Sequence, residues 1–213
     1  MSQGFVSMNR RAVLAGGSAA LVLASCSNII GPPDATPLYV LDPENPPAGN
    51  APAVHWQLTV VLPETSSSLD TSRIALLQPS GQLDYYADAS WQDPLPFLVQ
   101  GSLVEAFEAS GRMTAVGRET EGLRSDYLLV TDIRSFQARY DVADAPPKIE
   151  VRIVAKLVSA RTRTIVQSLD AQSSVASAQN SVPSVVAAMA RALADVQTQI
   201  VDWALRAPPP EHA

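Results

Sequence analysis

The stretch that decides the fold is KIEVRIVAKL, residues 148–157, in which apolar and polar side chains alternate almost throughout. Its apolar set comprises Ile149, Val151, Ile153, Ala155 and Leu157. Successive side chains of a strand point to opposite faces, so the alternation predicts a strand with one buried and one wet face. Strands of this kind are typical of antiparallel sheets.

Similar signals on both sides of this stretch predict further strands. Residues 127–140 form a long candidate strand before it, and residues 164–169 form one after it, with an extension towards Ser177 left open. Upstream, alternation over residues 54–62 predicts another half-buried strand. Shorter strands are predicted at residues 38–41, 73–77 and 83–86.

Two helices are predicted from apolar periodicity. The first opens at Pro94 and ends at Gly111, because proline suits the start of a helix and glycine its left-handed end. The second spans residues 182–206 and carries apolar residues alternately four and three apart, namely Val182, Val186, Met189, Leu193, Val196, Ile200 and Trp203. This spacing fits an oligomerising coiled coil or a face packed on a sheet, and the neighbouring strands favour the sheet.

The order strands, helix, strands, helix predicts an α+β fold: a mixed, largely antiparallel sheet with two helices packed on it. The chain has 213 residues, 46% of them apolar, which suffices for one sizeable core. A net charge of −6 excludes a basic nucleic-acid-binding surface. Two histidines and one cysteine exclude a His/Cys metal cluster and an internal disulfide. No metal is expected.

No catalytic motif is found, and we predict that the protein is not an enzyme. Only His55 could serve a histidine-dependent nucleophile, because His212 lies in the C-terminal tail. A membrane-tethered hydrolase would therefore depend on His55. The aromatic segment with Tyr85, Tyr86 and Trp91 is predicted as a loop, whose rings either contact a partner or belong to the core.

The N-terminus has the pattern of an export signal. Arg10 and Arg11 precede an apolar run over residues 12–24, which is shorter than the about 20 residues that span a bilayer. The segment from Asn9 to Leu14 resembles a twin-arginine signal, with the general secretory route as the alternative. Leu23-Ala24-Ser25-Cys26 resembles a bacterial lipobox.

The lipobox resemblance implies cleavage before Cys26, with diacylglyceryl on its thiol and an acyl chain on the new N-terminus. No other cofactor is expected. Two or more acyl chains give durable anchoring, so the membrane is reached through lipid. By resemblance to lipoprotein sorting rules, Ser27 in place of an aspartate implies the outer membrane.

These observations divide the chain into four predicted parts. Residues 1–25 are a signal peptide, and residues 26–37 form a lipidated, proline-rich tether. Residues 38–206 form the domain, and residues 207–213 a disordered tail.

Several segments of the domain are similar to the ABC-type transport auxiliary lipoprotein family. The most specific stretch runs from Tyr85-Tyr86 through Trp91 to Pro94-Leu95-Pro96, and segments 69–74, 103–111 and 127–136 also fit. The resemblance covers about residues 38–206. It implies a non-catalytic domain with a fold related to the N-terminal domain of the periplasmic protein TolB.

The resemblance also implies an accessory role in an ABC transport system whose substrate-binding subunit carries a mammalian-cell-entry domain and which moves lipid or other hydrophobic compounds. The expected partner is that subunit, met in the periplasm at the outer membrane. The alternative is a stand-alone envelope lipoprotein that binds a small apolar ligand or acts as a structural adaptor. Whether the chain forms a homo-oligomer is left open.

Overall fold

A computed structural model describes residues 36–45, 51–122 and 124–210. The predicted signal peptide and Cys26 lie outside these residues. The described part contains nine strands and two α-helices. In chain order they are β1 Leu38–Tyr39, β2 Gln57–Val60, β3 Glu64–Thr65, β4 Arg73–Leu77, β5 Leu83–Trp91, α1 Leu95–Ser110, β6 Ala115–Arg118, β7 Tyr127–Arg139, β8 Lys148–Ser159, β9 Ile165–Ala176 and α2 Val182–Ala204.

All these strands belong to one mixed sheet, with β7 as its axis. The strand β8 pairs antiparallel with β7 along its whole length, and β9 pairs antiparallel with β8. The opposite edge of β7 is shared by β2, β3 and β4, which all run parallel to it. The sheet is completed by β6 beside β2, by β5 beside β4 and by β1 beside β5.

The alternation predicted for β8 is confirmed, and its apolar side chains belong to the core. Its five apolar positions from Ile149 to Leu157 are buried, whereas Lys148, Arg152 and Lys156 are exposed on the other face. Both helices contact each other and pack on the same side of the sheet, α2 over β7, β8 and β9 and α1 over β2 and β6. The predicted α+β fold, a mixed sheet with two packed helices, is therefore confirmed.

A β-bulge in β7 keeps its buried side chains under the helices. Ile133 pairs with Ile153, but Ser135 pairs with Arg152, so Arg134 is an extra residue. Buried positions are odd-numbered up to Ile133 and even-numbered after it, at Phe136 and Ala138. Without the inserted residue, the second half of β7 would turn its apolar side chains to the open face.

The helix α2 packs on the sheet as favoured, but its buried face is wider than the predicted seam. Val182, Val186 and Trp203 are only half-buried, whereas the small side chains of Ala188 and Ala192 are fully buried. A helix that covers a sheet buries a broad stripe, not a narrow coiled-coil seam. Small residues on that stripe allow the helix to approach the sheet closely.

A buried polar pair joins the two helices. Gln197 of α2 is 0% exposed, and its amide nitrogen donates a hydrogen bond to the hydroxyl of Ser102 in α1. Gln197 lies within the apolar stripe of α2, so the spacing of apolar residues did not predict a buried polar contact at this position. Within the described ranges, neither helix is long and apolar enough to cross a membrane.

Two further predictions concern the extent of β5 and the end of α1. The strand predicted at residues 83–86 is confirmed, but β5 continues to Trp91, so the loop predicted from Tyr85 to Trp91 is wrong. Gly111 ends α1 in the left-handed conformation, at a φ of 59°, as expected.

We predict that Ile153→Ala lowers the free energy of unfolding by about 2–5 kcal/mol, because it leaves a cavity beneath α2. Val154→Ala is the matched control, since Val154 lies next to Ile153 on the open, half-buried face of β8. Urea denaturation of both variants measures the difference. Equal losses of stability would contradict the packing described here.

Candidate functional site

The first feature of interest is the way the chain enters the domain. Leu38 and Tyr39 of β1 lie parallel to the end of β5. The N–H of Ser90 donates to the carbonyl of Pro37, and the N–H of Gln92 donates to the carbonyl of Tyr39, both at 3.2 Å. The segment that follows the predicted tether is therefore a strand of the sheet.

Beyond β1 the chain also reaches α2. Leu41 and Pro43 are buried, while Asp42 and Glu44 line a cavity of about 560 Å³. The helix lines the same cavity with small and charged side chains, at Ala187, Ala190, Arg191, Ala194 and Asp195. The entering segment is thus paired with the sheet edge and lines one cavity together with α2.

Tyr85 lies on β5 with part of its ring exposed. Its hydroxyl donates to the carbonyl of Ser68 at 2.9 Å, and the guanidinium of Arg73 stacks over its ring at 3.8 Å. These contacts fix the orientation of the ring, as a cation placed over an aromatic face is attracted to it. The remaining exposed surface is available to a partner.

Tyr86 begins a chain of hydrogen bonds that connects three elements. Its hydroxyl lies 2.9 Å from that of Tyr140, which donates to Asn180 Oδ1 at 2.7 Å. Asn180 Nδ2 donates in turn to the carbonyl of Asp144. Burial, together with the hydrogen bond and charge of Tyr140, raises the pKa of Tyr86 well above its usual range. The network joins β5, the end of β7 and the start of α2.

The sequence left open whether Trp91 contacts a partner or belongs to the core, and the structure shows that it belongs to the core. Its side chain is 2% exposed and packs edge to face against Phe136, with ring centroids 6.4 Å apart. Trp91 is therefore a core residue and cannot present its ring to a partner. The sequence could not separate it from the tyrosines because all three residues fall in one short segment.

The described part of the predicted tail lies against the domain. The hydroxyl of Tyr127 donates to the carbonyl of Pro208 at 2.9 Å. Pro209 and Pro210 line an apolar cavity of about 290 Å³ that also includes His55 and Trp56. In the described part of the predicted tail, Pro208 is thus joined to the domain by a hydrogen bond.

His55 is exposed immediately before β2. Among the residues that the structure describes, no group of three or more His, Cys, Asp or Glu side chains is close enough to hold a metal ion. The residues that sequence reasoning missed are Tyr140 and Asn180. No local sequence pattern marks either residue, because their hydrogen-bond partners are distant in sequence.

The comparisons with known proteins identify a family. A sequence model of the ABC-type transport auxiliary lipoprotein component matches residues 39–201. The protein bll6063 of Bradyrhizobium diazoefficiens is 27% identical over 150 residues, which is 70% of this chain but 40% of that protein. The chain thus spans less than half of that curated relative.

Solved structures support the fold. The crystal structure of protein XCC0632 from Xanthomonas campestris is 32% identical, with a TM-score of 0.73, and the match covers 79% of this chain and 94% of that one. A second crystal structure, of an uncharacterised protein, has a TM-score of 0.61 at 15% identity and shares the fold alone. It covers 76% of this chain and 99% of its own.

We predict that Tyr86→Phe reduces the loss of stability at alkaline pH. The raised pKa of Tyr86 keeps it protonated in the folded state, so above pH about 10 the unfolded state releases the proton first. The free energy of unfolding of the wild type therefore falls as pH rises through that range.

The measurement is urea denaturation from pH 7 to 11, with Tyr85→Phe as the control outside the network. At pH 7, Tyr86→Phe should lower the free energy of unfolding by about 1 kcal/mol, the usual net contribution of one hydrogen bond. An alkaline slope identical to that of the wild type would show that Tyr86 is not the group responsible.

Proposed function

The chain belongs to the family of ABC-type transport auxiliary lipoprotein components, and we propose that it is the anchored accessory lipoprotein of one such transporter. The transporter we propose is one whose substrate-binding subunit carries a mammalian-cell-entry domain and which moves lipid or other hydrophobic compounds. The observation that carries the proposal is the family match, which extends from β1 into α2.

The accessory role is supported by the domain as a whole. An auxiliary component acts by binding and holding other proteins, which requires a stable surface and no reactive group. The sheet offers such a surface, because its long strands pair over their full lengths and only one of its faces is covered by helices. Membership of a lipoprotein family also supports a place in the cell envelope.

We propose Cys26 as the anchor, with diacylglyceryl on its thiol and an acyl chain on its amino group. Several acyl chains, at about 0.8 kcal/mol per buried CH₂, give durable attachment without a transmembrane helix. Ser27 supports the periplasmic face of the outer membrane as the place of anchoring. An extended tether over residues 26–37 would place the domain up to about 40 Å from the lipid surface.

The way the tether joins the domain supports this mode of attachment. Force on the tether would pass through β1 into β5 by the backbone hydrogen bonds of Ser90 and Gln92. The next strand in the sheet, β4, pairs with the axis strand β7. Tension on the tether would therefore be carried from β1 through β5 and β4 to β7.

We propose Tyr85 and Tyr86, but not the buried Trp91, as contacts for the transporter subunit. Both tyrosines keep partly exposed rings that hydrogen bonds hold in place, which lowers the entropy cost of binding. Exposed Ala87 follows them on the same strand.

The cavity beside Trp56 favours a second candidate function. Its lining is mainly apolar, with the proline-rich tail on one side and residues 52–56 on the other. A stand-alone envelope lipoprotein could bind a small apolar ligand there. Native mass spectrometry that finds lipid in this cavity, from membranes in which the chain has no transporter partner, would favour this alternative.

We expect Cys26→Ser to abolish metabolic labelling with radioactive palmitate, because serine provides no thiol for a thioether. Ser25→Thr leaves the thiol in place and is the control for a change next to the cleavage site. Labelling at the wild-type level in Cys26→Ser would refute the anchor.

Affinity purification of the tagged full chain from gently solubilised membranes should recover a protein with a mammalian-cell-entry domain. We expect Ala87→Arg to reduce that recovery at least tenfold, because it places a bulky charge beside Tyr85, which lies two residues away on the same strand. Ala143→Arg, at an exposed position after β7, is the matched control. Failure of the wild-type, acylated chain to recover such a protein would contradict the proposed partner.

A further inference from the structure

The strand β9 is a long edge of the sheet. It has 12 residues, and among the described strands it pairs only with β8. Natural edges are usually shortened or carry lysine or proline, because an open edge recruits strands from other chains. The strand β9 contains neither lysine, proline nor glycine, and Asp170 is its one charged residue.

The charge of Asp170 does not protect this edge. Arg152 on β8 donates to both carboxylate oxygens, at 2.9 and 2.6 Å, and this hydrogen bonding lowers the pKa of Asp170. The carboxylate is therefore directed towards β8 and is neutralised within the sheet.

A side chain from α2 occupies the middle of the edge. The N–H of Gln172 donates to Gln199 Oε1 at 3.3 Å, and Gln199 Nε2 donates to the carbonyl of Gln172 at 3.0 Å. One amide thus takes both backbone groups of one residue, as the backbone of an added strand would. The same nitrogen also lies 3.3 Å from the carbonyl of Asp195, which holds the amide to its own helix.

In an antiparallel strand, the backbone N–H and carbonyl groups of every second residue point to the same side. Because the N–H and carbonyl of Gln172 point away from β8, those of Asp170 and Ser174 do so as well. Both residues are exposed. An incoming strand would need this row of groups, and Gln199 blocks its centre.

We propose that Gln199 keeps the edge of β9 from pairing with β9 of a second copy of this chain. An antiparallel pairing centred on Gln172 is self-complementary, as a two-fold contact between identical copies requires. In that register Asp170 of one copy faces Ser174 of the other, so no like charges oppose each other. Among the described residues, Gln199 is the side chain that occupies outward backbone groups of β9.

The test is sedimentation velocity of the full chain in a non-ionic detergent over a range of concentrations. Gln199→Ala should lower the dissociation constant for self-association by at least about tenfold relative to the wild type, since each copy no longer gives up two hydrogen bonds on pairing. Gln82→Ala is the matched control, an exposed glutamine in the turn between β4 and β5.

The double variant Gln199→Ala/Gln172→Pro should return to wild-type self-association. Proline removes the outward N–H of Gln172 and is tolerated at such edge positions. An unchanged dissociation constant in Gln199→Ala, accompanied by faster hydrogen exchange of the Gln172 amide, would overturn the proposal.

Hydrogen exchange of the wild type tests the same contact without a substitution, should Gln199→Ala fail to fold. The Gln172 amide should exchange at least tenfold more slowly than those of Asp170 and Ser174. Equal rates for the three amides would show that Gln199 does not close the edge, and the proposal would fall.

Discussion

The antiparallel pairing of β7 with β8 is the contact on which the rest of the structure depends. It is continuous from Tyr127 opposite Ser159 to Arg139 opposite Lys148. The free edge of β7 receives three short strands, none long enough to be stable alone, and the free edge of β8 receives β9. The bulge at Arg134 lets both halves of this pair turn their apolar side chains towards α2.

The two faces of the sheet differ, because the helices cover one and leave the other open. The covered face packs against the helices in an apolar core. Within that core, a hydrogen bond from Gln197 to Ser102 connects the two helices. The open face carries charged pairs that are too exposed to add much stability, such as Arg152 with Asp170. At the far side of the sheet, β1 is the strand that the proposed tether would join.

The accessory function fits a protein whose named side chains position one another. Tyr86, Tyr140 and Asn180 connect elements that are distant in sequence, and Gln199 connects a helix to an edge strand. Each contact fixes the shape of a surface. The proposed binding of a transporter subunit depends on such fixed surfaces, because binding then orders few additional groups.

Local pattern by itself determined the strands β7 and β8, the end of α1 at Gly111, the packing of α2 on a sheet and the family. These features depend on residues close in sequence, where periodicity and turn chemistry act directly. The tertiary structure alone decided that Trp91 is buried, that Tyr86 joins Tyr140 and Asn180, and that Gln199 bonds to the backbone of Gln172 in β9. Each of those outcomes depends on which distant segments meet across the sheet, and that is set by strand order and register, which alternation of side chains leaves undetermined.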